Sequence, residues 1–223
     1  MKKSLFLQAV GKFLLGVVLV GVLVFLPAGT LHFWQGWLFM GILFVPMFLA
    51  GLVMLKKNPA LLEKRLNAKE KEREQSLVVK ISGLMFVVGF IVAGLNFRLG
   101  WYMLPKGVSI AAAVVFLASY ALYAEVLREN TYLSRTIEVQ EGQQVVDTGL
   151  YGIVRHPMYS VTLVLFLTMP LVLGSVYAFV IFLVYPFIIA KRIGNEEQVL
   201  TAALDGYAAY KEKVRWRLLP FIW

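Results

Sequence analysis

The sequence predicts an all-α, multi-pass transmembrane protein with about five to six membrane helices. Three observations lead there. Apolar residues make up 60% of the 223, against roughly 45–50% in a soluble domain, and the mean hydropathy is +0.75. The apolar excess falls in long blocks with few charges rather than being spread along the chain. The basic residues gather in short stretches between those blocks, the pattern of cytoplasmic loops in membrane proteins. The net charge of +9 is therefore read as topology, and nucleic acid is set aside as a partner. There are no cysteines, hence no disulfide framework and no thiol chemistry. The two histidines, His32 and His156, lie on different segments, so no metal site is expected.

The first block, Val10–Leu26, ends at Pro27 and is close to the roughly 20 residues a span needs. Lys2 and Lys3 precede it, but no small-residue cleavage site closes it, so it is read as a retained span. Ala28–Phe33 is a turn without Lys or Arg, and Trp34 and Trp37 follow at aromatic-belt positions. The second span covers about Trp34–Leu55, with Pro46 expected to kink it. Lys56–Gln75 then changes character: mixed charge, with Leu61, Leu62 and Leu66 at helical spacing. This charged loop, 56–76 in all, predicts an amphipathic surface helix and a solvated turn beside lipid headgroups. Leu77–Leu95 is the third span, Asn96–Lys106 a connector carrying Trp101 and Tyr102, and Leu104–Leu127 the fourth span. Lys and Arg number eight in 56–80, none in 28–33 and two in 96–106. The amino terminus and the 56–80 loop are thus expected in the cytoplasm. Residues 1–127 form a membrane scaffold and 128–223 a separate functional region.

Arg128–His156 is polar and too long for an idle connector. Alternation over Thr136–Val146 hints at an extended segment or hairpin turning at Glu141-Gly142. Pro157–Ala190 is a second long apolar stretch of 34 residues, divided near its middle by Pro170 and Leu173-Gly174-Ser175. It predicts a helical hairpin, one broken helix or two, that starts and ends on the cytoplasmic side. In Lys191–Trp216, Ile193, Leu200, Leu204, Tyr207, Tyr210 and Val214 fall along one helical face. Arg217–Trp223 is a basic, aromatic tail suited to the interface.

Two motifs carry the chemistry: TGLYGIVRHPMY over Thr148–Tyr159, and Arg192-Ile-Gly-Asn-Glu196-Glu197. Pro157 suits the first turn of a helix and pushes His156 toward extended backbone. Free N–H groups at that helix start, the helix dipole and Arg155 would attract an anion. Gly149 and Gly152 let the turn approach a ligand closely. Arg192 and Glu196 are four residues apart and share a helix face; Glu197 points elsewhere, toward the groove. Taken singly, the arginines could be interfacial anchors and the glutamates a solvated face. Joined by one hairpin, the two motifs define a cytoplasmic pocket. It offers arginines for a carboxylate, carboxylates for an ammonium or ribose, and tyrosine faces for a cation. S-adenosylmethionine presents those groups, and each tyrosine over its sulfonium is worth about 0.5–2 kcal/mol.

Several motifs carry a resemblance. They are Asn130-Thr-Tyr-Leu-Ser, Gly142-Gln-x-Val-Val-x-x-Gly149-Leu-Tyr151, Arg155-His-Pro-Met-Tyr159, Arg192-x-x-x-Glu196-Glu197-x-x-Leu200, Gly206-Tyr207-x-x-Tyr210 and Arg217-x-x-Pro220. Together they resemble the isoprenylcysteine carboxyl methyltransferase family over about residues 128–223. That family is related to phospholipid methyltransferases and, more widely, to membrane sterol reductases. The resemblance implies a multi-pass S-adenosylmethionine-dependent methyltransferase whose lipophilic or lipidated substrate arrives from the bilayer. On matching positions it implies cofactor contacts at Gly149, Leu150, Tyr151, His156, Tyr159 and Glu196, with Glu197 and Gln144 beside them. It implies that Arg155 and Arg192 handle the acceptor group. Leu150 stands where the family often has Pro, and Ser160-Val161 where it often has Gly, departures that touch the turn geometry.

The expected reaction is carboxyl O-methylation of an isoprenylcysteine-like or other lipid-linked acceptor. A carboxylate is already ionised at neutral pH and needs no base. An amine acceptor, as in a phospholipid N-methyltransferase, would need one, with Glu197 or His156 nearest. An NADPH-dependent membrane reductase is the other enzymatic reading, though no second basic cluster is placed for a 2′-phosphate. A transporter or scaffold would require polar residues deep in several spans, and the first three offer almost none.

Overall fold

Backbone in hydrocarbon must satisfy its own hydrogen bonds, and apolar blocks of this length do so as helices. The structure is a computed structural model and describes residues 2–66, 73–133 and 139–223. Among them the regular structure is helical: α1 Lys2–Ala28, α2 Trp34–Lys57, α3 Pro59–Leu66, α4 Arg73–Arg98, α5 Lys106–Glu129, α6 Pro157–Val172, α7 Val176–Phe182, α8 Tyr185–Ala203 and α9 Tyr207–Lys213. A single 3-10 turn, Gly149–Gly152, precedes α6. Five segments are long and apolar enough to cross a membrane: Ser4–Ala28, Trp34–Lys57, Leu77–Arg98, Lys106–Glu129 and Val176–Ala203. Leu15, Val18 and Leu26 on α1, Leu49 on α2 and Val114 on α5 point outward. Such a surface is costly in water and suited to lipid. The protein is an all-α, multi-pass integral membrane protein.

The interior is aromatic. Phe39, Phe90, Phe116 and Phe182 are buried where α2, α4, α5 and α7 meet, and Phe86 sets its ring edge-on to Phe166 and Phe182. The second apolar stretch is more finely divided than its hydropathy indicates. It breaks at Leu173–Ser175 and again at Leu183-Val184, just ahead of Pro186. It does not break at Ala190, where the charged residues begin; α8 runs on to Ala203. The return arm and the Arg192–Glu197 motif are therefore one rigid helix.

The hairpin's apex is tied down. Gly174 has φ +73, and a Cβ there would sit 2.9 Å from Met103 Cε. Its carbonyl accepts from Leu104 N–H at 2.9 Å. The Ser175 hydroxyl caps α7 by accepting from Ala178 N–H and donates to Asn96 Oδ1 at 2.7 Å. A buried amide in this apolar setting needs such partners, and they lock α4, the 99–105 connector and the hairpin together.

At the other end lie the start of α1, the end of α2, α3, the start of α4, the end of α5, the start of α6 and the end of α8. Lys12 Nζ there donates to the Leu66 carbonyl at 2.6 Å. α3 realises the first part of the expected surface helix, with Leu61 and Leu62 buried; residues 67–72 lie outside the described residues. So does 134–138, including Arg135, which covers part of the alternation over Thr136–Val146. The described remainder is irregular, with a tight turn at Glu141-Gly142 in which Gln143 N–H bonds the Gln140 carbonyl at 3.0 Å.

Candidate functional site

At this end an open groove encloses about 810 Å3, solvent at its mouth included. The 3-10 turn and the first turn of α6 supply Tyr151, His156 and Tyr159. α8 supplies Arg192 and Glu196, and α9 supplies Tyr207 and Tyr210. Gln144 closes one side from the connector.

Arg192, Tyr159 and Glu196 form a short chain of polar contacts on one wall. Arg192 Nε–H donates to the Tyr159 oxygen at 2.9 Å, with the guanidinium also near the Tyr159 ring face. The Tyr159 hydroxyl donates in turn to Glu196 Oε2. The His156 ring stacks on that of Tyr159 at 5.7 Å between centroids. One turn of α8 separates Arg192 from Glu196, so a single helix face delivers a cation and an anion to one phenol.

Glu197, one residue on, faces away from this wall and is buried. Its Oε1 accepts from Arg155 Nε at 2.7 Å and lies 3.3 Å from His156 Nε2. Its Oε2 accepts from Arg217 Nε at 3.0 Å. Arg155 borders the groove, but its guanidinium is committed to Glu197 and to the carbonyls of Val214 and Arg215, at 2.7 and 2.9 Å. The backbone N–H groups of Arg155 and His156, expected to be free for an anion, instead donate to the Trp216 and Arg217 carbonyls at 2.8 and 2.9 Å. The carboxyl-terminal tail thus straps the start of α6 to α8. The expected placing of Glu197 in the groove is corrected by this packing: Glu196 occupies that wall and Glu197 holds the strap.

Gly149 and Leu150 also stand behind the groove rather than in it. Gly149 has φ +50, and a Cβ there would fall 1.3 Å from Glu129 Oε1. Only glycine permits this approach, and it lets Leu150 N–H donate to Glu129 Oε2 at 3.0 Å. The contact anchors the 3-10 turn to the end of α5 and so fixes Tyr151.

Comparison with known proteins agrees with the motifs. Residues 109–202 match the family model described as "Isoprenylcysteine carboxyl methyltransferase (ICMT) family". Over those residues the chain is similar to that family. No curated protein matches the chain. The matched stretch begins within α5 and ends at the last turn of α8, so it includes Glu129, the 3-10 turn, the hairpin and the Arg192–Glu197 motif. α9 and the tail lie beyond the matched residues, yet they complete the groove.

Two features of the groove escape the motif reading. The Tyr151 hydroxyl, beside Asn130, and the Tyr207 hydroxyl are buried without a well-formed hydrogen bond among the described residues. Buried polar groups are normally satisfied, so two orphaned phenols in one groove point to a ligand that completes them. Burial pushes both phenols above their usual range, and the Glu197 and Glu196 charges add to this at Tyr207. Both therefore stay protonated and able to donate. Tyr210, also pushed up by burial, instead donates to the Tyr151 carbonyl at 2.7 Å and braces the turn. The second feature is Met158, which lines the groove next to Tyr159. Nothing in its sequence context marks it.

Proposed function

We propose that this protein is an S-adenosylmethionine-dependent methyltransferase that methylates the carboxylate of a lipophilic acceptor, with its groove on the cytoplasmic side. The observation that carries the reading is the wall formed by Arg192, Tyr159 and Glu196 in one groove with the buried phenols of Tyr151 and Tyr207. A zwitterionic amino-acid end needs an anion and a cation within one turn, which Glu196 and Arg192 offer. Ribose hydroxyls need polar partners, which Tyr151 and Tyr207 offer. Aromatic faces suit a sulfonium, and His156, Tyr159 and Tyr207 supply them. The groove residues therefore fit the cofactor.

When bound, S-adenosylmethionine supplies an electrophilic methyl group, which an acceptor carboxylate oxygen takes as the carbon–sulfur bond breaks. The protein's part is positioning. Glu196 and Arg192 hold one end of the cofactor, and Tyr159 keeps those two side chains in register. The apolar flank of α6 and α8 admits the acceptor's hydrocarbon and excludes water. Orientation of this kind is worth as much as about 7–11 kcal/mol. The commitment of Glu197 to Arg155 and Arg217 removes one of the two candidate bases and leaves His156 as the other, which an amine acceptor would need and a carboxylate would not. The described parts of the basic 56–80 stretch, the end of α2, α3 and the start of α4, lie at the groove's end of the bundle, which supports the cytoplasmic placement.

The test is to incubate membranes containing the protein with methyl-labelled S-adenosylmethionine, extract lipids and treat them with base. Base-labile label in the lipid fraction is the expected result. Base-stable label would replace the carboxylate with an amine or sulfur acceptor, and no label would remove the methyltransferase reading.

A further inference from the structure

Two consecutive residues at the start of α6, Met158 and Tyr159, are each met by an arginine from a different element. Arg192 of α8 contacts Tyr159. Arg65 of α3 contacts Met158, its Nη1 lying 4.0 Å from the sulfur. Arg65 comes from the amphipathic connector, far outside the residues that match the family. Its other partners are the Tyr123 hydroxyl, to which Nη2 donates, and the Tyr123 ring, 5.6 Å from the guanidinium carbon.

α3 is held firmly enough to aim this side chain. Leu61 and Leu62 are buried beneath it, Asn58 caps its start by accepting from Leu61 N–H at 3.1 Å, and Lys12 ties down its end by donating to the Leu66 carbonyl. Arg65 itself is half-buried. Yet among the described residues it forms no ion pair, in contrast to Arg155 and Arg217, which share Glu197. Its contacts are a phenol, a ring face and a thioether, all neutral. A half-buried guanidinium with only neutral contacts is a ready partner for an anion, and its planar fork is suited to a carboxylate. The polar side chains beyond Met158, Thr162 and Tyr185, are bonded to each other at 3.2 Å, so among the described residues no anion stands beside Arg65.

We infer that Arg65 binds the carboxylate of the lipophilic acceptor and makes the protein selective for anionic over neutral amphiphiles. The inference rests on the methyltransferase reading above and names its substrate class. Arg65 on α3 and Arg192 on α8 then bracket the first turn of α6, with the acceptor's charged end beside Met158 and its hydrocarbon directed along the apolar flank toward lipid. Arg65 is a specificity residue, which touches the acceptor and not the cofactor.

The experiment uses full-length protein in detergent and a matched pair of probes, N-acetyl-S-farnesylcysteine and its carboxamide, with S-adenosylhomocysteine as a separate ligand. Equilibrium binding of each is measured for the wild type, Arg65→Gln and Arg65→Lys. The wild type is expected to prefer the carboxylate by roughly ten- to a hundredfold, the worth of one charge-assisted hydrogen bond. Arg65→Gln should bring that preference to within about twofold, with carboxamide and S-adenosylhomocysteine binding unchanged, and Arg65→Lys should restore part of it. An unchanged carboxylate preference in Arg65→Gln would overturn the inference. So would a parallel loss of all three ligands, which is what a purely structural role would produce. Failure of the wild type to bind S-adenosylhomocysteine would count against the methyltransferase reading, while the carboxylate–carboxamide pair would still decide the role of Arg65.

Discussion

On the groove face of α8, Glu196 meets the Tyr159 hydroxyl, and its side chain keeps 22% of its exposure. On the rear face, one residue later, Glu197 keeps 4% and is surrounded by Arg155, His156 and Arg217. The two carboxylates differ by about 100° around the same helix. The rear face is electrostatically closed, with each oxygen of Glu197 taken by an arginine and the tail strapped across it. The groove face is left open, with buried phenols that form no well-aligned bond among the described residues and a carboxylate hydrogen-bonded to the Tyr159 phenol. A saturated charge cluster marks the structural side of a site, and a deficit marks the side that awaits a ligand.

The largest test of this contrast is Glu197→Ala. It leaves Arg155 buried without its carboxylate, a loss on the order of 3–5 kcal/mol. Thermal unfolding in detergent should fall by roughly ten degrees, on the usual scaling for a chain of this size. A variant as stable as the wild type that had lost only ligand binding would reverse the roles of the two faces. Glu196→Gln should do the opposite. S-adenosylhomocysteine binding is expected to weaken roughly ten- to a hundredfold, as when one hydrogen bond to a charged group is lost, while the unfolding temperature stays near that of the wild type.

Smaller effects sharpen the supporting geometry. Gly149→Ala puts a side chain at φ +50 and against the Glu129 carboxylate. A destabilisation of about 1–3 kcal/mol is expected, seen as a lower unfolding temperature with weaker ligand binding, since Tyr151 moves with the turn. The smallest effect belongs to the exposed pair Lys213–Asp147, 2.6 Å apart. The hydrogen bond and charge of Lys213 hold the Asp147 carboxyl below its usual range. A depressed carboxyl contributes stability above its unfolded pKa and loses it as pH falls through the folded one. Lys213→Ala should therefore lower the unfolding temperature slightly at neutral pH, with the difference vanishing in acid below about pH 4. A difference that grew in acid would contradict that sign.

Much of the fold was legible because lipid imposes simple rules. Apolar blocks gave the spans, and Pro170 with Leu173–Ser175 marked the break at the hairpin's apex. The break at Leu183-Val184 was not legible, because the residues around it are as apolar as those of the helices and only their packing ends one helix before Pro186. At the site, the shared helix face of Arg192 and Glu196 was readable from their spacing. The division between Glu196 and Glu197 was not, since it depends on the rotation of α8 and on where Val214–Arg217 folds back. Arg155 looked like a ligand-facing cation because the carbonyls it binds are some sixty residues away in the chain. Glu129 was hidden for the same reason: its partner is a backbone N–H, which leaves no mark on the sequence. Arg65 lies in a stretch whose charge has a sufficient explanation in topology, so only its contact with Met158 singles it out.

The central claim is that the open face of α8 builds an S-adenosylmethionine site. Calorimetry on the purified protein, titrated separately with S-adenosylhomocysteine and with NADPH, tests it most directly. The account predicts saturable binding of S-adenosylhomocysteine, weakened in Glu196→Gln, and no binding of NADPH. Binding of NADPH without S-adenosylhomocysteine would contradict it.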